Sequence, residues 1–163
     1  MLKEINESKT TSSRLGRFKP ASEKFEFKEY PFYWVSRLGN RYTQMMEKQL
    51  KKVGMNITSW RVGLILREYG TISMTDVATH AVGRLPTMTK AVYRMKDRGL
   101  VRLAVSETDA RVTMVAITQK GLDLIDQTIS ETTRTIDLAF KDMASSDVKQ
   151  LNQLLKKIFK NLS

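Results

Sequence analysis

The chain has 163 residues, 41% of them hydrophobic, and its formal net charge of +11 favours a polyanionic partner. This length suits one compact domain, and the absence of cysteine excludes disulfides, thiolate catalysis and zinc fingers. No apolar stretch approaches the ~18 residues of a membrane span, and the polar amino terminus does not resemble a secretion signal, so we expect a cytoplasmic protein without membrane contact.

The amino-terminal third is predicted to contain an extension and one long helix. Residues 1–28 are polar with few apolar anchors, which is typical of a flexible extension. From Phe32 to about Val53, apolar residues recur at three- and four-residue steps, which predicts an amphipathic helix. Gly54 is expected to end it.

Three shorter helices are predicted next, each with a recognisable start. Asn56 or Thr58 is expected to cap the first of them, and Ser73 to cap the second in a near capping box with Asp76. Pro86 suits the first position of the third, where its missing N–H costs nothing. The glycines that end or break these helices are Gly70, Gly83 and Gly99. The residues expected to face inward include Trp60, Leu64, Ile65, Val77, Leu85, Met88, Val92 and Met95.

Two strands and two further helices complete the chain. Alternation over 101–105 and β-branched residues over 112–117 predict a hairpin with 106–111 as its polar tip. Thr118 is expected to cap a long helix, and residues 145–147 to open a last one. The apolar stripe expected on the long helix is Leu122, Ile125, Ile129, Ile136 and Phe140.

This order of elements predicts a mainly α protein with a small two- or three-stranded β wing, a winged helix-turn-helix. Residues 57–118 form the expected DNA-binding domain. The helices from both chain ends, 29–56 and 119–163, carry long apolar stripes beside a module that is already compact. They are therefore expected to form a helical dimerisation region, with a second copy of the chain as the partner.

The fourth predicted helix carries the residues expected to read DNA. Thr87, Lys90 and Arg94 share the face opposite its apolar stripe, and these residue types contact phosphates and base edges. Between Arg84 and Arg102 there are six bases and one acid, a local net charge of +5. A basic surface that only aids solubility would not concentrate its charge in this segment. For any single one of these bases, and for Lys96 and Arg98 in particular, a purely solvated role stays open.

Three motifs between Met74 and Leu124 resemble the MarR family of bacterial transcriptional regulators: LVR at 100–102, TDAR at 108–111 and AITQKG at 116–121. Ile117 stands where the family usually has leucine, and the residues before 30 lie outside the pattern. The resemblance implies a homodimer on double-stranded operator DNA, with recognition helices in major grooves and wings in the adjacent minor grooves. A narrow minor groove attracts an inserted guanidinium such as Arg111, which Asp109 can hold in place. The residues expected to contact DNA are Arg84, Pro86, Thr87, Thr89, Lys90, Arg94, Asp109 and Arg111.

The same resemblance implies release of DNA by a small aromatic or anionic ligand that occupies a cleft between the dimer helices and the winged module. Aromatic rings with guanidinium groups suit an aromatic carboxylate or its CoA thioester, and the chain is similar to the hydroxycinnamate-responsive repressors that control aromatic catabolism. For each of the residues named below, the alternative is a role without ligand: an ordinary core position for an aromatic residue, or a solvated position for an arginine. The expected ligand-binding residues are Tyr33, Trp34, Arg37, Arg41, Tyr42, Trp60 and Arg61.

The sequence indicates neither an enzyme nor a cofactor-binding or metal-binding protein. The only histidine, His80, is expected near the end of the third helix, close enough to touch a phosphate, and without cysteine it builds no usual transition-metal site. No nucleophile, carboxylate pair or phosphate loop has a credible context for a hydrolase. The alternatives that stay open are a regulator of drug or stress response with a different ligand, an activator, and a winged-helix protein-interaction module.

Overall fold

The computed structural model describes residues 15–163, and the chain divides into two compact units, 1–45 and 46–163, which are treated one at a time. The first half of the extension expected over 1–28 lies outside the described residues. From residue 15 the chain turns through two 3₁₀ segments, Gly16–Phe18 and Phe27–Glu29. An ion pair joins Arg17 to Glu26 at 2.7 Å.

A cluster of aromatic rings organises the rest of the first unit. Neighbouring rings lie 4.7 to 6.4 Å apart, mostly edge to face, a geometry that aromatic quadrupoles favour. The Trp34 Nε1–H donates to the Lys28 carbonyl at 2.7 Å. Residues 15–28 thus have a local structure that their polar composition did not predict. The aromatic rings and the indole N–H that contact residues 25–28 belong to residues 30–34, which follow in the chain. The clustered rings are those of Phe25, Phe27, Tyr30, Phe32, Tyr33 and Trp34.

Helix α1, Pro31–Leu50, confirms the long amphipathic helix and crosses from the first unit into the second. A 3₁₀ turn, Lys51–Val53, follows it, and Gly54 adopts φ +67°, a left-handed conformation that glycine enters without a Cβ penalty. The expected stop at Gly54 is confirmed.

The second unit contains five further helices and a small sheet within its described residues. The elements are α2 Ile57–Tyr69, β1 Ile72–Ser73, α3 Met74–His80, α4 Leu85–Asp97, β2 Val101–Val105, β3 Thr113–Ile117, α5 Gln119–Ala139 and α6 Ser145–Leu162. The strands form one antiparallel sheet in the order β1-β3-β2, with Arg102 opposite Ala116 and Ile72 opposite Val115. The two-residue β1 is too short for a periodicity to reveal.

The helix starts follow local capping, as predicted. Asn56, rather than Thr58, accepts from the Ser59 N–H at 2.9 Å, and Ser73 accepts from the Asp76 N–H at 3.0 Å. The core joins α2, α3, α4 and the sheet. The expected inward position of Leu64 and Leu85 is wrong, since these side chains are 36% and 44% exposed. The buried cluster includes Val62, Leu66, Val77, Val92, Met95, Leu100 and Val115.

The turn between α3 and α4 differs from its prediction in one residue. Val82, not Gly83, adopts the left-handed conformation, with φ 50°, and its side chain is 82% exposed. This conformation is costly for a β-branched residue. Gly83 lies close to the Met88 side chain instead: a Cβ there would lie 2.6 Å from the Met88 Cε, and the flexible end of Met88 would have to shift.

Helix α5 buries Ile125, as the predicted apolar stripe requires, but its buried face also contains threonines that the stripe did not include. Ile136 and Phe140 are exposed, whereas Thr128, Thr132 and Thr135 are buried. The Thr128 hydroxyl donates to the Leu124 carbonyl at 2.6 Å, and the Thr132 hydroxyl donates to that of Thr128 at 2.8 Å. Because these hydroxyls are satisfied within their own helix, burying them leaves no free donor.

Helix α6 has no buried residue, although its start is locally defined by the Asp147 carboxylate, which accepts from the Ala144 N–H at 2.9 Å. Its apolar residues from Leu151 to Leu162 are 37% to 73% exposed. None of the helices within residues 15–163 has the length and apolar character that crossing a bilayer requires.

Candidate nucleic-acid interface

Helix α4 turns one face to the core and the other to solvent. Met88, Val92 and Met95 are buried, and Arg84 precedes the helix as its N-cap residue. Pro86 is the second helical residue rather than the first. Five of the predicted DNA-contacting side chains are exposed: those of Arg84, Pro86, Thr87, Lys90 and Arg94. The sixth on this helix, Thr89, is half-buried, and its hydroxyl donates to the Leu85 carbonyl at 2.8 Å.

The bases at the end of α4 have contacts within the chain. The Arg98 guanidinium donates to the Gly54 carbonyl at 2.6 Å, and the Lys120 ammonium donates to the Arg98 carbonyl at 2.8 Å. Lys96 lies over the Tyr93 ring, with Nζ 5.7 Å from its centroid. Arg98 therefore holds α4 against the turn before α2, a role that charge counting did not predict.

The β2–β3 hairpin presents Arg111 in a fixed orientation. Its Nε and Nη2 donate to the two carboxylate oxygens of Asp109, each at 3.1 Å, and its backbone N–H donates to the same group at 3.0 Å. These hydrogen bonds lower the pKa of Asp109, so the carboxylate stays charged and the fork stays paired. The Arg111 side chain is nevertheless 90% exposed, which leaves its outer edge free to enter a groove.

The motif after the wing anchors α5 to the end of α4. The Thr118 hydroxyl donates to the Gly99 carbonyl at 2.7 Å and accepts from the Gly121 N–H at 3.1 Å. Gly121 is required because a Cβ there would collide with the Leu100 carbonyl oxygen. The T-x-x-G spacing therefore combines a helix cap with a close backbone approach.

Three of the predicted ligand-binding residues lie together at the start of α1. The Tyr33 and Trp34 rings are 5.1 Å apart, and the Arg37 guanidinium lies 5.3 Å from the Tyr33 centroid. Tyr33 is half-buried and Trp34 is 54% exposed. Arg41 and Tyr42 follow one turn later on the same helix, exposed and half-buried respectively.

The remaining two predicted ligand residues, both on α2, point apart. Trp60 is buried, and its Nε1–H has no hydrogen-bond partner within residues 15–163. Arg61 is exposed and lines a groove of about 420 Å³ with the end of α3. At this end His80 stacks on Tyr69, with ring centroids 4.3 Å apart. No group of three or more potential metal ligands occurs in the described part of the chain.

The chain is 44% identical over 143 residues to the HTH-type transcriptional repressor IacR of Pseudomonas putida. The aligned residues cover 88% of this chain and 86% of IacR. No protein-family model matches. A crystal structure of a MarR-family transcriptional regulator from Silicibacter pomeroyi superposes with a TM-score of 0.77 at 21% identity, over 85% of this chain and 93% of that one. The chain belongs to the MarR family.

A second MarR-like structure extends the fold comparison. CouR of Rhodococcus jostii RHA1, crystallised with p-coumaroyl-CoA, superposes with a TM-score of 0.74 at 21% identity, over 82% of this chain and 94% of that one. The protein is thus a MarR-type winged-helix transcriptional regulator, in which α3, the turn and α4 follow one another in the order of a helix-turn-helix. The expected winged fold is confirmed.

Proposed function

We propose that the protein is a cytoplasmic, homodimeric repressor that binds a pseudo-palindromic operator and is released by an aromatic acid or its CoA thioester. The exposed, carboxylate-fixed Arg111 beside the basic face of α4 is the observation that carries the DNA-binding part. A preoriented guanidinium loses little conformational entropy on entering a groove, and α4 supplies charge for the phosphates. The identity to a repressor supports repression rather than activation.

Fluorescence anisotropy with DNA from upstream of the gene tests specific binding. Arg94→Ala and Arg111→Ala should each weaken operator binding by about 5- to 150-fold, the range of one specific base or groove contact. Arg134→Ala is the matched control, because Arg134 is an exposed arginine on α5 and belongs to neither α4 nor the wing hairpin. Equal affinity for operator and unrelated DNA, or affinity that does not fall with salt, would contradict the proposal.

The effector part of the proposal is supported by chemistry at the start of α1. Tyr33 and Trp34 offer apolar ring faces, and Arg37 places a cation beside them. This combination suits an aromatic ring that carries a carboxylate or thioester. CouR, of similar fold, was crystallised with a hydroxycinnamoyl-CoA ligand. We therefore extend the proposal to control of an operon for the catabolism of hydroxycinnamate-type compounds.

Trp60 supports the same effector class in another way. A buried indole N–H usually has a partner, and the one in Trp60 has none within residues 15–163, whereas that of Trp34 donates to Lys28. A carboxylate or carbonyl oxygen of the effector is a suitable acceptor. The two tryptophans therefore form a matched pair of reporters.

Indole ¹⁵N–¹H NMR during titration with aromatic acids and p-coumaroyl-CoA tests this assignment. An effector that releases DNA should shift the Trp60 indole signal downfield, and Trp60→Phe should weaken release about fivefold, the effect of one lost hydrogen bond of ~1 kcal/mol, while operator affinity without effector stays unchanged. The Trp34→Phe variant assigns the signals. DNA release with an unmoved Trp60 signal would show that Trp60 does not contact the effector, and no release by any compound would contradict the effector class.

A further inference from the structure

A cleft of about 250 Å³ lies between α4 and the wing, and its lining includes four polar groups besides Arg111: the hydroxyls of Thr75, Thr89, Tyr93 and Thr113. Its α4 edge is formed by three residues four apart, Leu85, Thr89 and Tyr93, which share one side of the helix. The opposite wall comes from the start of β3 and the residues before it. The lining residues are Met74, Thr75, Leu85, Thr89, Tyr93, Arg111, Val112 and Thr113.

The position of this cleft determines what faces it on DNA. In the proposed complex α4 enters a major groove while Arg111 enters the adjacent minor groove. Adjacent grooves of a duplex are separated by one sugar-phosphate strand. In that complex this strand crosses the space between α4 and the wing, where the cleft lies.

The chemistry of the lining suits a phosphate. Tyr93 is 47% exposed, and its hydroxyl is a neutral donor of the kind that contacts phosphate oxygens. Lys96 lies 5.7 Å from the Tyr93 centroid and adds positive charge, and Arg111 adds more from the wing side. Thr75 and Thr113 contribute further hydroxyls, whereas the Thr89 hydroxyl is already bonded to the Leu85 carbonyl.

We infer that this cleft is a binding site for one phosphate of the DNA backbone, with Tyr93 as its principal donor. The inference rests on the proposed function and adds a group that fixes the register of α4 without reading a base. Such a contact strengthens binding to operator and to unrelated DNA equally. It also accounts for a half-exposed tyrosine beside the predicted DNA-contacting face of a helix whose other exposed residues are mostly charged or polar.

Tyr93→Phe is the direct test, because it removes the hydroxyl and keeps the ring under Lys96. Affinity should fall about tenfold for operator and for unrelated DNA alike, with the ratio between them and the salt dependence unchanged. Tyr69→Phe, at another half-exposed tyrosine outside the cleft, should bind like the wild-type protein. Circular dichroism and thermal unfolding confirm that each variant is folded.

A series of operators with single methylphosphonate substitutions then locates the phosphate. One position beside the half-site should weaken the wild-type complex but not weaken the Tyr93→Phe complex further. Unchanged affinity in Tyr93→Phe, a changed specificity ratio, or additive losses at every position would each overturn the inference. The inference would also be overturned if an aromatic acid stabilised the DNA-free wild-type protein, but not Tyr93→Phe, against thermal unfolding. The cleft would then be an effector site.

If the wild-type protein forms no sequence-specific complex, the proposed function itself fails and the inference falls with it. That result differs from failure of the inference alone, in which the wild-type complex is specific and Tyr93→Phe matches it.

Discussion

Asp109 and Arg111 are two residues apart, and their pairing converts a flexible side chain into a fixed one. Both the fork of Arg111 and its backbone N–H bond to the same carboxylate. The sequence could predict this pair because the contact is local and the spacing fits a hairpin tip. It could not predict that Arg98 serves the fold, since the partner carbonyl of Gly54 is 44 residues away.

The pairing makes a pH prediction at the residue scale. Because the pKa of Asp109 is lowered in the folded state, the pair is present above the ordinary value near 3.8 and is lost as pH falls through the lowered value. An NMR titration of the Asp109 carboxyl carbon should therefore give a lower midpoint in the wild-type protein than in Arg111→Ala. Arg111→Lys, which keeps the charge without the fork, should lie between them. Equal midpoints would contradict the pairing in solution.

Val82 makes a stability prediction at the same scale. Its positive φ is unfavourable for a β-branched side chain, and asparagine tolerates this region better. Val82→Asn should raise the free energy of unfolding by about 0.5–1 kcal/mol in urea titrations at fixed protein concentration. Val105→Asn is the control, because exposed Val105 lies in a strand, where valine is favoured and asparagine is not. A lower free energy of unfolding for Val82→Asn than for the wild-type protein would show that Val82 does not strain the turn.

At the scale of elements, helix starts were predictable and buried faces were less so. Ser73, Asp76 and Thr118 form caps with partners three residues away, so sequence spacing reveals them. Hydrophobicity predicted the buried Ile125 on α5 but not the buried Thr128 and Thr132, whose hydroxyls donate to carbonyls of their own helix. The packing of the aromatic rings over residues 25–34 was not predictable, because polar residues separate Phe25 and Phe27 from the predicted helix.

The junction between α4, the sheet and α5 gives the element-scale prediction. Gly121→Ala should lower the free energy of unfolding by about 1–3 kcal/mol, because the added methyl group meets the Leu100 carbonyl. Gly39→Ala, within α1, is the control and should have an effect of opposite sign, because no described atom lies within 4 Å of a Cβ built at Gly39. It should stabilise by about 0.5–1 kcal/mol, as alanine favours helix. Urea unfolding measures both, and equal effects would contradict the close approach.

At the scale of the whole molecule, the apolar face of α6 is the feature that calls for a second chain. Its residues Leu151, Leu155 and Ile158 are each at least 37% exposed, and large exposed apolar faces mark association surfaces. Two-fold pairing also fits a palindromic operator. The sequence predicted this need from the stripe itself, although the pairing of the two copies stays a proposal.

Combining Leu155→Glu with Ile158→Glu should therefore give a monomer in size-exclusion chromatography with light scattering. Operator affinity should fall at least tenfold, because the two half-sites are then bound independently. Exposed Gln153, on the polar side of α6, provides the control: Gln153→Glu adds one charge and should leave the dimer intact. A variant that stays dimeric, or an equally disrupted control, would place the interface elsewhere.

The wing tip has one more consequence, for how such a protein searches a chromosome. Residues 106–111 contain two acids, Glu107 and Asp109, and a single base, Arg111, so the tip is slightly negative. Duplex phosphates repel it, while the basic face of α4 is attracted everywhere along the DNA. We expect the protein to slide on α4 with its wings held off, and to insert Arg111 only where a narrow minor groove deepens the negative potential. In the proposed complex, the wing would then set how long the protein pauses at a site rather than how quickly it finds DNA.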